Sequence, residues 1–90
     1  MARAIMMHEE DNVATVLMDV LQGDTISVEG GKGSLHIEAA EAVPFGHKIS
    51  LSGIGKDHLI LKYGETIGIA ICTIPSGTHV HVHNLKSSRG

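Results

Sequence analysis

What most constrains the fold of this chain is its punctuation: glycine breaks the sequence into short blocks rich in β-branched residues, too short for helices. Eleven glycines fall within 90 residues. Segments 25–29 (TISVE) and 34–38 (SLHIE) alternate apolar and polar residues on either side of Gly30, Gly31, Lys32 and Gly33, which predicts a hairpin. Residues 39–46 contain Pro44 and Gly46 and read as a loop, after which HKISLS at 47–52 alternates again. A turn at 53–57 leads into HLILKYG, with a further turn at Gly64. TIGIAICTI then reads as one buried strand, and Pro75, Ser76 and Gly77 turn the chain into THVHVHN. Residues 12–21 (NVATVLMDVL) tolerate a helix capped by Asp11 or Asn12, but Val13, Thr15, Val16 and Val20 favour a strand. The expectation is an all-β domain of short strands with a projecting hairpin, its core within 8–84 and a polar tail over 85–90.

A chain of this length supports one core and little enclosed volume, so a complete active site is not expected from it alone. The formal charge is −3, and the seven Lys and Arg are scattered. Nucleic acid and anionic membranes demand a concentrated basic footprint, and neither is expected as a partner. Phe45 and Tyr63 are the sole aromatics, so platforms for stacking bases are lacking too. Cys72, the single cysteine, is expected to pack as a small hydrophobe, which suits a reducing cytoplasm. The first residues read as neither a secretory signal nor a membrane span.

Seven histidines are the conspicuous chemical resource, and three fall on alternate positions: His79, His81 and His83. On a strand they share one face while Val80 and Val82 share the other, with like-side neighbours about 7 Å apart. Two imidazoles at that spacing can lean onto one metal ion, and Zn, Mn or Fe accept such nitrogens. The pattern equally describes an edge strand with histidine outside, valine inside and no ligand. Further donors would come from His47, lifted by the loop that holds Pro44, Phe45 and Gly46, or from His8 beside Glu9, Glu10 and Asp11. His36 and His58 stand beside turns and read as surface residues.

The ordered blocks DNVATVL, VPFGHKISL, ILKYGETIGIA, IPSGTHVHVHN and SSRG resemble the small SAF-type domain of the altronate and galactarate dehydratase family. The resemblance implies a β-clip fold and a hydro-lyase component, either a separate small subunit or an N-terminal domain fused ahead of a catalytic region, that is inactive without its large catalytic subunit. It implies water elimination from a sugar acid to give a 2-keto-3-deoxy acid, assisted by a divalent metal, Fe2+ or Mn2+ more than Zn2+. A similar small subunit with the same HVHN ending serves a sulfolactate sulfo-lyase, which leaves the leaving group open. The residues expected at the shared site are His81 and His83 for metal, His79 and Asn84 for substrate, and His47 and Lys48 for catalysis. Lys48 would set a point charge against the substrate carboxylate. Two other functions fit the same residues: a sugar-acid binding module without chemistry, and an oligomerisation domain that pairs exposed edges, including as a homodimer.

Overall fold

The computed structural model describes residues 2–30 and 33–87, and these described residues form nine strands. They are β1 (Ala2–Met6), β2 (Val13–Val16), β3 (Thr25–Gly30), β4 (Gly33–Glu38), β5 (Lys48–Ser50), β6 (Leu59–Lys62), β7 (Glu65–Ala70), β8 (His79–Val80) and β9 (Leu85–Ser87). The described residues form an all-β structure, as the glycine-broken blocks predict, and no helix among them is long and apolar enough to cross a membrane. A six-stranded sheet runs β4-β3-β1-β2-β5-β8, and a three-stranded sheet runs β6-β7-β9. β1 and β3 are parallel, and every other pairing between these strands is antiparallel.

β2 explains how two small sheets make one body. Its side chains alternate between two apolar clusters: Ala14 and Val16 join Ala4, Ile26 and Ile49, while Val13 joins Ile60, Ile74 and Val80. Both faces of β2 are covered, so its apolar run is continuous and no period can be read from it. The strand reading of this stretch holds for residues 13–16; beyond it Met18 is exposed and Val20 forms an isolated bridge with Val43. The expected hairpin is β3–β4, in register from Thr25 opposite Glu38 to Gly30 opposite Gly33. Its Gly31 and Lys32 lie outside the described residues.

Four expectations are corrected. Residues 2–6, placed outside the core, form the central strand β1, and Ala2 and Ala4 are buried; the alanines are too small to stand out as a strand pattern. The stretch 66–74 is not one strand: β7 ends at Ala70, and Ile71 is 45% exposed. Cys72 follows it to the surface instead of packing in the core. The expected tail begins as β9, which pairs Leu85 with Ala70 and Ser87 with Gly68; residues 88–90 lie outside the described residues.

Candidate functional site

The site begins where β8 stops. Ile49 of β5 pairs with His79, and Lys48 pairs with Val80. Beyond Val80 the chain leaves the sheet because the Asn84 side chain captures it: Asn84 Oδ1 accepts from His81 N at 2.9 Å, and Nδ2 donates to the His79 carbonyl at 2.8 Å. The His81 carbonyl then accepts from Asn84 N (3.0 Å) and Leu85 N (2.9 Å), closing a turn that feeds β9. The alternating-face expectation is therefore corrected after residue 80. Val82 is 77% exposed rather than buried opposite the histidines. Asn84 itself is 4% exposed, with both ends of its amide held by the backbone, an arrangement that orients the histidine turn.

The turn nevertheless gathers the imidazoles. The His79 and His81 rings stack with centroids 5.4 Å apart and an interplanar angle of 12°. His47 joins them from the end of the loop before β5. There Gly46 takes φ +83°, His47 N donates to the Pro44 carbonyl (3.0 Å), and Phe45 N donates to Asp19 Oδ1 (2.9 Å). A positive φ at Gly46 suits a residue without Cβ, and it turns the chain so that His47 reaches the end of the sheet. The His47 ring lies 5.0 Å from His79 and 4.6 Å from His81. His47 Nδ1 and His79 Nε2 stand 2.9 Å apart, so one nitrogen donates to the other.

One donor nitrogen from each of His47, His79 and His81 falls within 4.8 Å of the other two. His83 stays at the exposed rim, its ring 5.3 Å from His79. His36 lies exposed on β4, and His8 packs against Gly64; neither joins this group. Glu41 enters unannounced: its Oε2 accepts from His79 N at 3.2 Å. A lone glutamate in a loop carries no pattern, and only the fold brings it to the histidines.

Like charges and partial burial shape the electrostatics. His79 is held below its ordinary pKa by burial first, then by His47, His83 and His81, with Glu41 opposing. His81 is lowered by desolvation first, then by His47, Lys48 and His83. Both effects penalise imidazolium and keep neutral nitrogens available to a ligand. Lys48 is also lowered, by burial and then by Lys62.

The sequence model for the altronate/galactarate dehydratase SAF domain matches residues 2–88. The chain belongs to this family. The SAF domain is 38% identical to altronate dehydratase of Escherichia coli over 84 residues, covering 93% of the chain and 16% of that enzyme. It is 38% identical to altronate dehydratase of Bacillus subtilis, again covering 16% of the relative. The chain thus spans about a sixth of the length of these relatives. It is also 32% identical to (2R)-sulfolactate sulfo-lyase subunit alpha of Paracoccus pantotrophus over 62 residues, which cover 69% of the chain and 92% of that subunit.

Proposed function

We propose that this SAF domain is a non-autonomous component of a lyase that eliminates a leaving group from a sugar acid, working against a larger catalytic subunit or region. The observation that carries the reading is the convergence of His47, His79 and His81 at a sheet end, in a domain that matches only 16% of altronate dehydratase. An imidazole group at an open edge can bind and polarise a ligand, but it needs a second surface to enclose the reaction. The lone exposed thiol of Cys72 agrees with a reducing, cytoplasmic setting for the complex.

The residues fit a divalent metal. One donor nitrogen from each of His47, His79 and His81 lies within 4.8 Å of the other two, and imidazole nitrogen is a ligand that Zn, Mn and Fe accept. His47, His79 and His81 would hold it, with His83 at the rim; the family resemblance implies Fe2+ or Mn2+ more than Zn2+. Bound there, it supplies a Lewis acid for the oxygen atoms of the acid. The chain's own groups do the rest. Lys48 sets positive charge against the carboxylate, and its lowered pKa lets it also carry a proton. With one ring nitrogen turned to the metal, His47 would keep the N–H of the other to donate to a departing oxygen. Asn84 positions both His79 and His81 and leaves the substrate contact to the imidazoles.

A second reading, (2R)-sulfolactate sulfo-lyase, is favoured by the extent of the match, since the aligned residues cover 92% of that relative's alpha subunit. Loss of sulfite beside a carboxylate asks for the same base, acid and charge, so the site alone is compatible with either leaving group.

The deciding experiment assays water loss from altronate and galactarate, and sulfite release from sulfolactate, with this chain alone and mixed with the larger catalytic subunit from the same source. Turnover is expected in the mixture only, lost on His47→Ala or His81→Ala. Absence of turnover on all three acids, or full activity in those variants, overturns the reading.

A further inference from the structure

The loop that delivers His47 exposes the chain's single phenylalanine. Phe45, two residues before His47, is 66% exposed. The loop that follows β2 leaves Leu21 equally exposed and Met18 at 37%. An open pocket of about 300 Å3 lies where the two loops meet, lined by Asp19, Val20, Leu21, Ala42, Val43 and Pro44. A single exposed apolar residue is ordinary, whereas several grouped around a pocket mark a surface that meets a partner.

These side chains stand on a fixed platform. Val20 and Val43 exchange both backbone hydrogen bonds at 2.9 Å, which ties one loop to the other. Asp19 Oδ1 accepts from Phe45 N at 2.9 Å, Asp24 Oδ2 from Leu21 N at 2.9 Å, and Met18 Sδ from Arg3 N at 3.2 Å. Gly46 N donates to the Val16 carbonyl and Val16 N to the His47 carbonyl, both at 3.0 Å. The platform and His47 are therefore fastened to the same end of β2. Little ordering is left for binding to impose.

What covers the patch follows from its setting and its charge. It is continuous with the histidine site, which lies at an open edge and needs a second surface to enclose a reaction. The matched domain makes up 16% of altronate dehydratase in both Escherichia coli and Bacillus subtilis, which leaves most of each enzyme outside it. Residues 17–24 and 40–46 carry Asp19, Asp24 and Glu41 and no Lys or Arg. A second copy packed on the same patch would set these carboxylates against their own kind, so the charge favours a different, basic partner.

The geometry points to the 17–24 and 40–46 loops as the docking surface for the larger catalytic subunit, with Phe45 and Leu21 seated in an apolar socket rimmed by Lys or Arg. Docking there carries the partner across the neighbouring His47 and closes the open side of the imidazole cluster. This rests on the reading of the domain as one part of a two-part lyase, and it is tested by assembly rather than turnover.

The test is sedimentation velocity and titration calorimetry of this chain with the larger catalytic subunit from the same source, run beside the turnover assay. Phe45→Ser is expected to weaken assembly at least about thirtyfold and Leu21→Ser about tenfold, as truncations at the centre of an interface do. Both side chains are exposed, so urea unfolding should match the parent. With the larger subunit in saturating excess, Phe45→Ser should recover the parent's turnover, whereas His47→Ala should assemble normally and stay inactive. Tyr63→Ser provides the control, since Tyr63 is 59% exposed but joins Asp11 beyond the other end of β2; it should assemble like the parent. Parental affinity in both loop variants overturns the inference, as does an equal loss in Tyr63→Ser. A dimer of the isolated chain that Phe45→Ser abolishes, without binding to the larger subunit, overturns it in favour of self-association. Assembly that depends on Phe45 but yields no turnover on any of the three acids would sink the lyase reading and leave the docking surface standing.

Discussion

At the scale of single residues, Asn84 and the two depressed histidines make opposite kinds of contribution. Asn84 bridges His81 N and the His79 carbonyl from a site 4% exposed. Truncation leaves a poorly hydrated donor and acceptor, a loss of about 1–3 kcal/mol. Asn84→Ala is expected to lower the stability read from urea unfolding by that amount and to weaken the proposed metal binding as the turn loosens; an unchanged stability would show the amide to be dispensable. His79 and His81 act through protons. Their folded pKa values lie below the ordinary 6.5, by burial or desolvation first and neighbouring imidazoles next, so the folded chain binds fewer protons than the unfolded one. Stability from these groups is complete above about pH 6.5 and declines as pH falls through that value toward the lowered ones. Replacing both by glutamine should flatten the stability profile between pH 7 and about 5; a profile as steep as the parent's would assign the acid sensitivity elsewhere. The proposed metal binding should weaken in the same window, because its imidazole ligands must be neutral.

At the scale of elements, Gly77 shows what the turn before β8 requires. Its φ is +78°, its N donates to the Ser50 carbonyl (2.9 Å), and its carbonyl accepts from Ala40 N (2.8 Å). A Cβ there would run into the Glu38 carbonyl oxygen, whereas at Gly23, also left-handed at +89°, a Cβ meets open space. Gly23→Ala should cost about 1 kcal/mol. Gly77→Ala should cost at least about 2 kcal/mol more, because backbone must move as well, and equal losses in parallel urea titrations would contradict that account. This Pro-Ser-Gly turn was plain in the sequence, as were the β3–β4 hairpin and the Gly64 turn, because turn chemistry is local. β1 was not legible, since Ala2 and Ala4 are core residues without an apolar signal and its partner β3 lies a full loop away. The histidine ladder was half legible. Its residue types promised a shared site, but β8 ends after His79 and Val80 through a hydrogen bond from an asparagine three residues beyond His81. The convergence of His47 with His79 and His81 follows from β5–β8 pairing, and Glu41 from a loop position; neither is encoded by spacing along the chain.

At the scale of the whole molecule, the structure depends on how a three-stranded sheet too small to persist alone is fastened to a six-stranded one. β2 faces both apolar clusters, so loss of either core exposes one of its faces, and heating should give a single transition by all probes. The polar fastening is more local. The Asp11 carboxylate ties His8 N, ahead of β2, to Tyr63 N and Gly64 N at the tip of the second sheet. Asp11→Ala removes all three acceptances at once while leaving Val13, Ile60, Ile74 and Val80 packed. The expected result is a local opening rather than global collapse. Amide exchange at Leu61, Tyr63 and Gly64 should accelerate by about ten- to a hundredfold, on the scale of one or two lost charge-assisted hydrogen bonds. Exchange at Val28 of β3, on the far side of the six-stranded sheet, should change only by the smaller fall in global stability. Uniform acceleration in both sheets would mean that Asp11 holds the entire fold, and the Tyr63 turn would then be a consequence of global stability rather than of a dedicated clasp.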